Sequence, residues 1–409
     1  MPRRVSTIGE LRVIASAAEG LIFNTDGRKL HAAGCEHVRT MGLGTPKWFL
    51  DSNEDAGAFL AVRGGQRCPA CLGVPSTPSG RATRSAMSAT ATPLTTPDVG
   101  ATRGAVSDVV ADACGRCEFQ VIARSVTAWA SEHVPLSPKT PTAVALKAGL
   151  RHALAGLRAD SDEILEAVFA GSKPSQSSDI ENLLLYNIDT GGGIVRGATG
   201  LGLRIEADRS LPTASSLGSV YKLRFSYRIV GADAEWSHWC RGRELACWSP
   251  VLLGSFAGEK KLEQVWLALH RALIAPSGPP READEPFAVI ATVHPPPGQV
   301  ASPAALVKGV LDGIVCAFQA HADLTTLTDV SARIARTLSI DRAEVRALLT
   351  TEERAVLGTV SRLVHVRSDG VQWKPSDNEL VVADVRLGDP IGNEWALSGA
   401  ITCAAVRQA

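Results

Sequence analysis

Residues 76–105 read STPSGRATRSAMSATATPLTTPDVGATRGA. A run this poor in large apolar side chains, and this rich in Ser, Thr, Ala, Pro and Gly, cannot bury a core and is expected to be a flexible linker. It divides the chain into a small segment, 1–75, and a large one, 106–409. A domain of about 75 residues rarely stabilises itself by apolar burial alone and usually needs a covalent or metal staple. The large segment has no such shortage: hydrophobic residues make up 45% of the chain and charged residues 21%, a composition suited to a buried core.

The small segment carries the residues for a staple. His31 and Cys35 form H-x3-C, and after 32 intervening residues Cys68 and Cys71 form C-x2-C. Zinc takes four such nitrogen and sulfur ligands tetrahedrally. Three thiolates and one neutral imidazole suit a closed structural site, where metal affinity becomes folding free energy. His37 rivals His31 for the imidazole position; His31 is preferred because ligands only two residues apart, as Cys35 and His37 are, are less usual. A second C-x2-C, Cys114 and Cys117, has no partner pair nearby. Cys240 and Cys247 lie far along the chain, and packed thiols are the simpler expectation.

The stretches GRKLHAAGCEHVRT, KWFLDSNEDAGAF and GGQRCPACLG resemble the zinc-binding module of the Ada DNA-repair protein and similar short modules appended to some nucleases. The matching positions are His31, Cys35, Phe49, Ser52, Ala56, Gly65, Cys68 and Cys71, within residues 27–72. The resemblance implies a treble-clef-like zinc fold that accompanies DNA-processing domains. The Ada module uses four cysteines, one of which accepts a methyl group; here His31 takes the first ligand position, so a structural or DNA-contacting role is expected instead.

In the large segment, helical spacing runs over 140–157, 260–273 and 302–318, with shorter helices near 328–338 and 341–349. Ser302 and Pro303 open the third as N-cap and first helical residue. Ser178 and Glu181 read as a capping box before 177–187. The segment 219–230 alternates strictly, with Tyr221, Leu223, Phe225, Tyr227 and Ile229 on one face and Lys222, Arg224, Ser226 and Arg228 on the other. The basic face suits phosphate contact or plain solvation. Further strands are expected at 286–294, 362–367, 379–387 and 395–406. Interspersed helices and strands predict an α+β or mixed α/β domain, with no repeat at a solenoid period. The whole is a large mixed domain preceded by a small treble-clef-like zinc domain.

Familiar nucleotide-binding and hydrolase motifs are missing from this sequence, and the glycine-rich 189–202 reads as a loop. The remaining chemistry is acidic. Lys308 and Asp312 stand four apart on one helical face; Asp377 and Glu379 precede a strand that contains Asp384. Such acids can hold Mg²⁺ through oxygen ligands for phosphodiester hydrolysis, or form only a surface ion pair and a solvated turn. Lys308, Asp312, Trp373 and Asp377 resemble the core of RusA-type Holliday-junction resolvases, which implies catalytic roles for Lys308, Asp312 and Asp377. That family carries D-x-D-N before its K-x-x-x-D. This chain has SPAA there (302–305), and its nearest counterpart is DIEN (179–182), more than a hundred residues upstream.

Lys plus Arg and Asp plus Glu balance at 42 each, so nothing global attracts nucleic acid or anionic membrane, and DNA binding would need a local basic face. With no transmembrane run, no signal peptide and nine cysteines, a cytoplasmic protein is expected. The sequence thus points to a zinc-containing, DNA-binding protein with a possible Mg²⁺-dependent nuclease of mobile-element or defence type. The alternative is a non-enzymatic DNA- or protein-binding scaffold with a structural zinc site.

Overall fold

The computed structural model describes residues 3–5, 7–17, 20–24, 29–39, 41, 47–50, 60, 66–67, 108–111, 117–171, 179–189, 193–256, 261–368 and 370–407. The chain divides into two compact units, Met1–Val99 and Gly100–Ala409. The expected linker, 76–105, lies outside the described residues.

In the small unit, β1 (Arg3–Val5), α1 (Ile8–Ala17), β2 (Leu21–Asn24), β3 (Lys29–Ala32), α2 (Glu36–Arg39), β4 (Lys47–Leu50) and β5 (Gln66–Arg67) follow in order. The strands make one sheet, β1-β4-β2-β3-β5. One face buries Val5, Leu11, Ile14, Ile22 and Val38; the other buries Leu21, Phe23, Leu30 and Leu50. Gly20, at φ +82°, turns α1 into β2, and a Cβ there would lie 2.6 Å from the Phe49 ring.

The large unit is mixed α/β. Its strands are β6 (Asp108–Ala111), β7 (Cys117–Ile122), β8 (Ser125–Ala130), β9 (Glu163–Gly171), β10 (Gly202–Asp208), β11 (Leu223–Gly231), β12 (Trp239–Gly254), β13 (Phe287–His294), β14 (Ala320–His321), β15 (Thr359–Val360), β16 (Val364–Arg367), β17 (Gly370–Trp373), β18 (Leu380–Leu387) and β19 (Trp395–Val406). Its helices are α3 (Pro141–Leu154), a π-helix (Asn182–Tyr186), α4 (Lys261–Arg271), α5 (Pro303–Ala317), α6 (Leu327–Leu338) and α7 (Arg342–Thr350). Ten strands form one sheet in the order β12-β19-β13-β18-β10-β9-β11-β8-β7-β6.

That order contains the same unit twice. In chain order, β8, α3, β9, the π-helix, β10 and β11 make one half; β12, α4, β13, α5, β18 and β19 make the other. The first half is arranged β8-β11-β9-β10 and the second β12-β19-β13-β18. Each half has its first and fourth strands antiparallel, its fourth and second antiparallel, and its second and third parallel. The halves meet where β10 and β18 pair antiparallel, with Arg204 directly opposite Asp384, as a twofold axis between them requires. Only residues 232–238 join β11 to β12.

Leu165, Phe169, Phe225, Tyr227, Val289 and Ile401 belong to the continuous apolar core. The alternate residues of the central strands are charged yet buried: Glu166, Arg204, Glu206 and Asp384 are at most 1% exposed. Arg204 donates to Glu166, Asp384 and the carbonyls of Ala234 and Glu235, so the link between halves is tied down over the sheet. The basic face expected along 219–230 is largely spoken for. Arg224 pairs with Asp208 at 3.1 Å and Arg228 with Glu166, and the strand itself spans 223–231. Of the two residues of the expected capping box, only Glu181 falls within the described residues, and Ser178 lies outside them. Glu181 sends its carboxylate to Lys308, and the following turn is a π-helix.

α5 follows its sequence closely. Pro303 opens it, Ser302 occupies the N-cap position without a side-chain cap bond, and Leu306, Val307, Val310, Leu311 and Ile314 are buried. α5 packs on α4, and Gly313 permits the approach: a Cβ there would lie 2.6 Å from that of Val265.

Candidate functional site

The second turn of α5 aims Lys308 at three carboxylates. Its Nζ lies 2.8 Å from Glu181 Oε1, 3.2 Å from Asp179 Oδ2 and 3.5 Å from Asp312 Oδ2. Asp179 and Glu181 stand at the entry to the π-helix, and Asp377 stands in the turn before β18. Asp179, Glu181 and Asp377 each offer a carboxylate oxygen, all within 4.8 Å of one another. The acids of DIEN, distant in sequence, thus meet Lys308, Asp312 and Asp377 in one place. A cleft of about 890 Å³ opens over them, walled by Arg362, His365, Gln372 and Lys374. Trp373 also lines it and donates its indole N–H to Glu263 at 3.0 Å.

Two residues outside the acidic set hold the site together. Gln319, 2% exposed, donates to the Ser376 carbonyl at 2.7 Å and accepts from the Ser376 amide at 3.0 Å, pinning the turn that carries Asp377. Asn182 donates to Asp179 Oδ2 at 2.6 Å. No sequence motif marks Gln319; Asn182 is the last residue of DIEN. Glu379 and Asp384 lie elsewhere: Glu379 pairs with Arg209 at 2.5 Å, and Asp384 is shared by Arg204 and Arg386 under the opposite sheet face.

Crowding and burial shape the electrostatics. Burial raises Glu181 to about 8; Lys308 opposes the rise, while Asp312 and Asp179 add to it. Burial likewise raises Asp312 to about 6 against the pull of Lys308. For Lys308, burial disfavours the charge, but Glu181, Asp312 and Asp179 outweigh it and its pKa lies above the ordinary lysine value. An ammonium thus occupies a pocket of excess negative charge. Oxygen-only donors in such a pocket match a hard divalent cation such as Mg²⁺.

In the small unit, His31 on β3, Cys35 immediately before α2 and His37 on α2 each offer a ligand atom within 4.8 Å of the others. Cys35 Sγ lies 3.7 Å from His31 Nδ1 and 3.6 Å from His37 Nδ1. Burial lowers the pKa of His31, helped by His37 and Lys29, which favours the neutral imidazole that binds metal. Both candidate imidazoles therefore sit at Cys35. Cys68 and Cys71 lie outside the described residues; β5, paired with the strand that carries His31, ends at Arg67. Cys114 is also outside them. Among the described residues, Cys117, Cys240 and Cys247 join no potential metal group.

No protein-family model matches the chain, and neither a curated protein nor a solved structure matches it. Among the described residues, no helix is long and apolar enough to cross a membrane.

Proposed function

We propose that the chain is a zinc-containing nucleic-acid-binding protein whose large unit is a divalent-metal-dependent DNA nuclease. The observation that carries this reading is the meeting of Asp179, Glu181 and Asp377 around one point, with Lys308 and Asp312 against them in an open cleft. Hydrolysing a phosphodiester requires neutralising negative charge that builds up in the transition state. A Mg²⁺ ion held by these carboxylates supplies that neutralisation as a Lewis acid. Lys308 provides a fixed positive charge beside the scissile phosphate, and Gln319 keeps Asp377 in register. Lys374 and His365 on the wall are suited to neighbouring phosphates. The small unit is read as a treble-clef-like zinc module, with Cys35, Cys68, Cys71 and one imidazole as ligands. Its role is structural or DNA-contacting.

The test is cleavage of linear, nicked and branched DNA by the full chain with Mg²⁺ or Mn²⁺. Asp312→Asn and Asp377→Asn keep shape but weaken hard-cation binding, and each should lower the rate by about 100-fold or more. Wild-type protein that cuts none of these, or variants that cut as well as wild type, would leave a non-enzymatic scaffold as the better account of the chain.

A further inference from the structure

We infer that the large unit is two fused copies of one repeat and that its acidic site is a single composite, assembled from complementary remnants of the two copies. This rests on the nuclease reading. The two halves share strand order and pairing sense throughout. They also share spacing. Asp179 follows the end of β9 at Gly171 by the same number of residues as Ser302 follows the end of β13 at His294. From there DIENLLLYNID (179–189) and SPAALVKGVLD (302–312) align without a gap. The match extends to burial: Ile180 with Pro303, Leu183 with Leu306, Leu184 with Val307 and Ile188 with Leu311 are all buried.

In this alignment the chemistry is divided. Copy one has Asp179 and Glu181 where copy two has Ser302 and Ala304. Copy two has Lys308 where copy one has Leu185. The ion pairs of Lys308 with Asp179 and Glu181 therefore cross from one copy to the other. A twofold axis would generate a second such place, assigned by the alignment to Leu185, Ser302 and Ala304, which have no charge to hold a cation. Asp189, the counterpart of Asp312, is occupied elsewhere, accepting from the Ile194 amide at 2.6 Å and lying 3.9 Å from Arg151. A pair of equipped sites related by a twofold axis could cut two strands in one encounter; one equipped site cuts one strand and must rebind to cut again.

Two measurements on the full, zinc-loaded chain test this. With Mg²⁺ and supercoiled plasmid, nicked circles should accumulate as the first product, and linear DNA should appear only from later, separate events. With Mn²⁺ as the probe, followed by its paramagnetic signal, Glu181→Gln in copy one and Asp312→Asn in copy two should each weaken all binding in the large unit, by about tenfold or more. Both substitutions preserve shape, and a thermal melt confirms the fold. Linear DNA as the first product, or each variant removing only its own half of the bound Mn²⁺, overturns the single composite site while leaving the nuclease reading intact. Absence of both Mn²⁺ binding in the large unit and cleavage overturns that reading, and the composite site with it.

Discussion

Glu181 is enclosed almost completely yet sits among acids, with one ammonium as its counterweight. Its carboxyl and that of Asp312 hold their protons more tightly in the folded protein than in an unfolded chain, with pKa values near 8 and 6 against ordinary values of 4.5 and 3.8. The stability this contributes is complete below the ordinary values, is lost progressively as pH rises above them, and is gone once pH passes about 6 for Asp312 and about 8 for Glu181. Metal-free protein should therefore melt at a lower temperature at pH 8.5 than at pH 5.5. His238, raised by its bond to Glu206 despite burial, adds a loss of the same sign, so Glu181→Gln should reduce the slope without abolishing it. On the proposed reading Mg²⁺ would compete with the same protons, and its stabilising effect should grow across that window. Thermal melts with and without Mg²⁺ check both; a slope unchanged in Glu181→Gln would remove Glu181 from the account. At the other end of the chain, metal analysis should find about one zinc per chain, lost in Cys35→Ser and Cys68→Ser. His31→Ala should lose it more completely than His37→Ala, since His31 is buried on a strand and His37 is exposed. At this scale the sequence was informative where spacing fixes geometry, as with Lys308 and Asp312 or His31 and Cys35. It was silent on Gln319, whose role depends on a turn 57 residues away.

α5 shows why some elements could be read in advance. Its N-terminal proline and its apolar stripe follow from local rules, and the observed helix lies within one residue of the expected span at each end. Gly313 adds a packing constraint that the pattern cannot express. Gly313→Ala should strengthen the isolated helix but drive a methyl into Val265 and the Leu262 carbonyl, for a net loss of about 1–3 kcal/mol in urea unfolding; a neutral or stabilising result would show that α4 and α5 separate easily. β11 was legible in its alternation, but the partners of its basic side were not. Asp208 lies on β10 and Glu166 on β9, and only sheet order brings them alongside Arg224 and Arg228. The π-helix was not legible either, because Leu183, Leu184 and Leu185 are consecutive and all buried, which gives no single stripe for a helical period to reveal.

Across the whole molecule, the internal repeat escapes sequence reading because the two copies have kept layout rather than residues. In the aligned stretch of 179–189 with 302–312, only Leu183 with Leu306 and Asp189 with Asp312 are the same residue type. The connection that follows is brief in copy one, whereas in copy two it carries α6, α7 and the β16–β17 hairpin. At the axis itself identity is absent and opposition takes its place: Arg204 faces Asp384, where two identical copies would bring like charges together. Arg204→Met should cost about 3–5 kcal/mol, because it strips a buried cation from Glu166 and Asp384. The double variant Arg204→Met/Asp384→Leu should lie closer to wild type in urea unfolding, since it removes Asp384 along with Arg204 while Glu166 keeps Arg228. A single variant as stable as wild type would deny this pair its part in matching one copy to the other.

The seven-residue link over 232–238 also bears on dilution. Two separate chains that had to meet before their groups converged would lose activity as they were diluted below their dissociation constant. Here one half is tethered to the other at an effective concentration in the millimolar range or above, so the convergence of Glu181 with Lys308 does not depend on how many copies of the protein a cell holds. Activity per molecule would then stay constant from abundance down to a few molecules, which would suit a protein needed in small numbers.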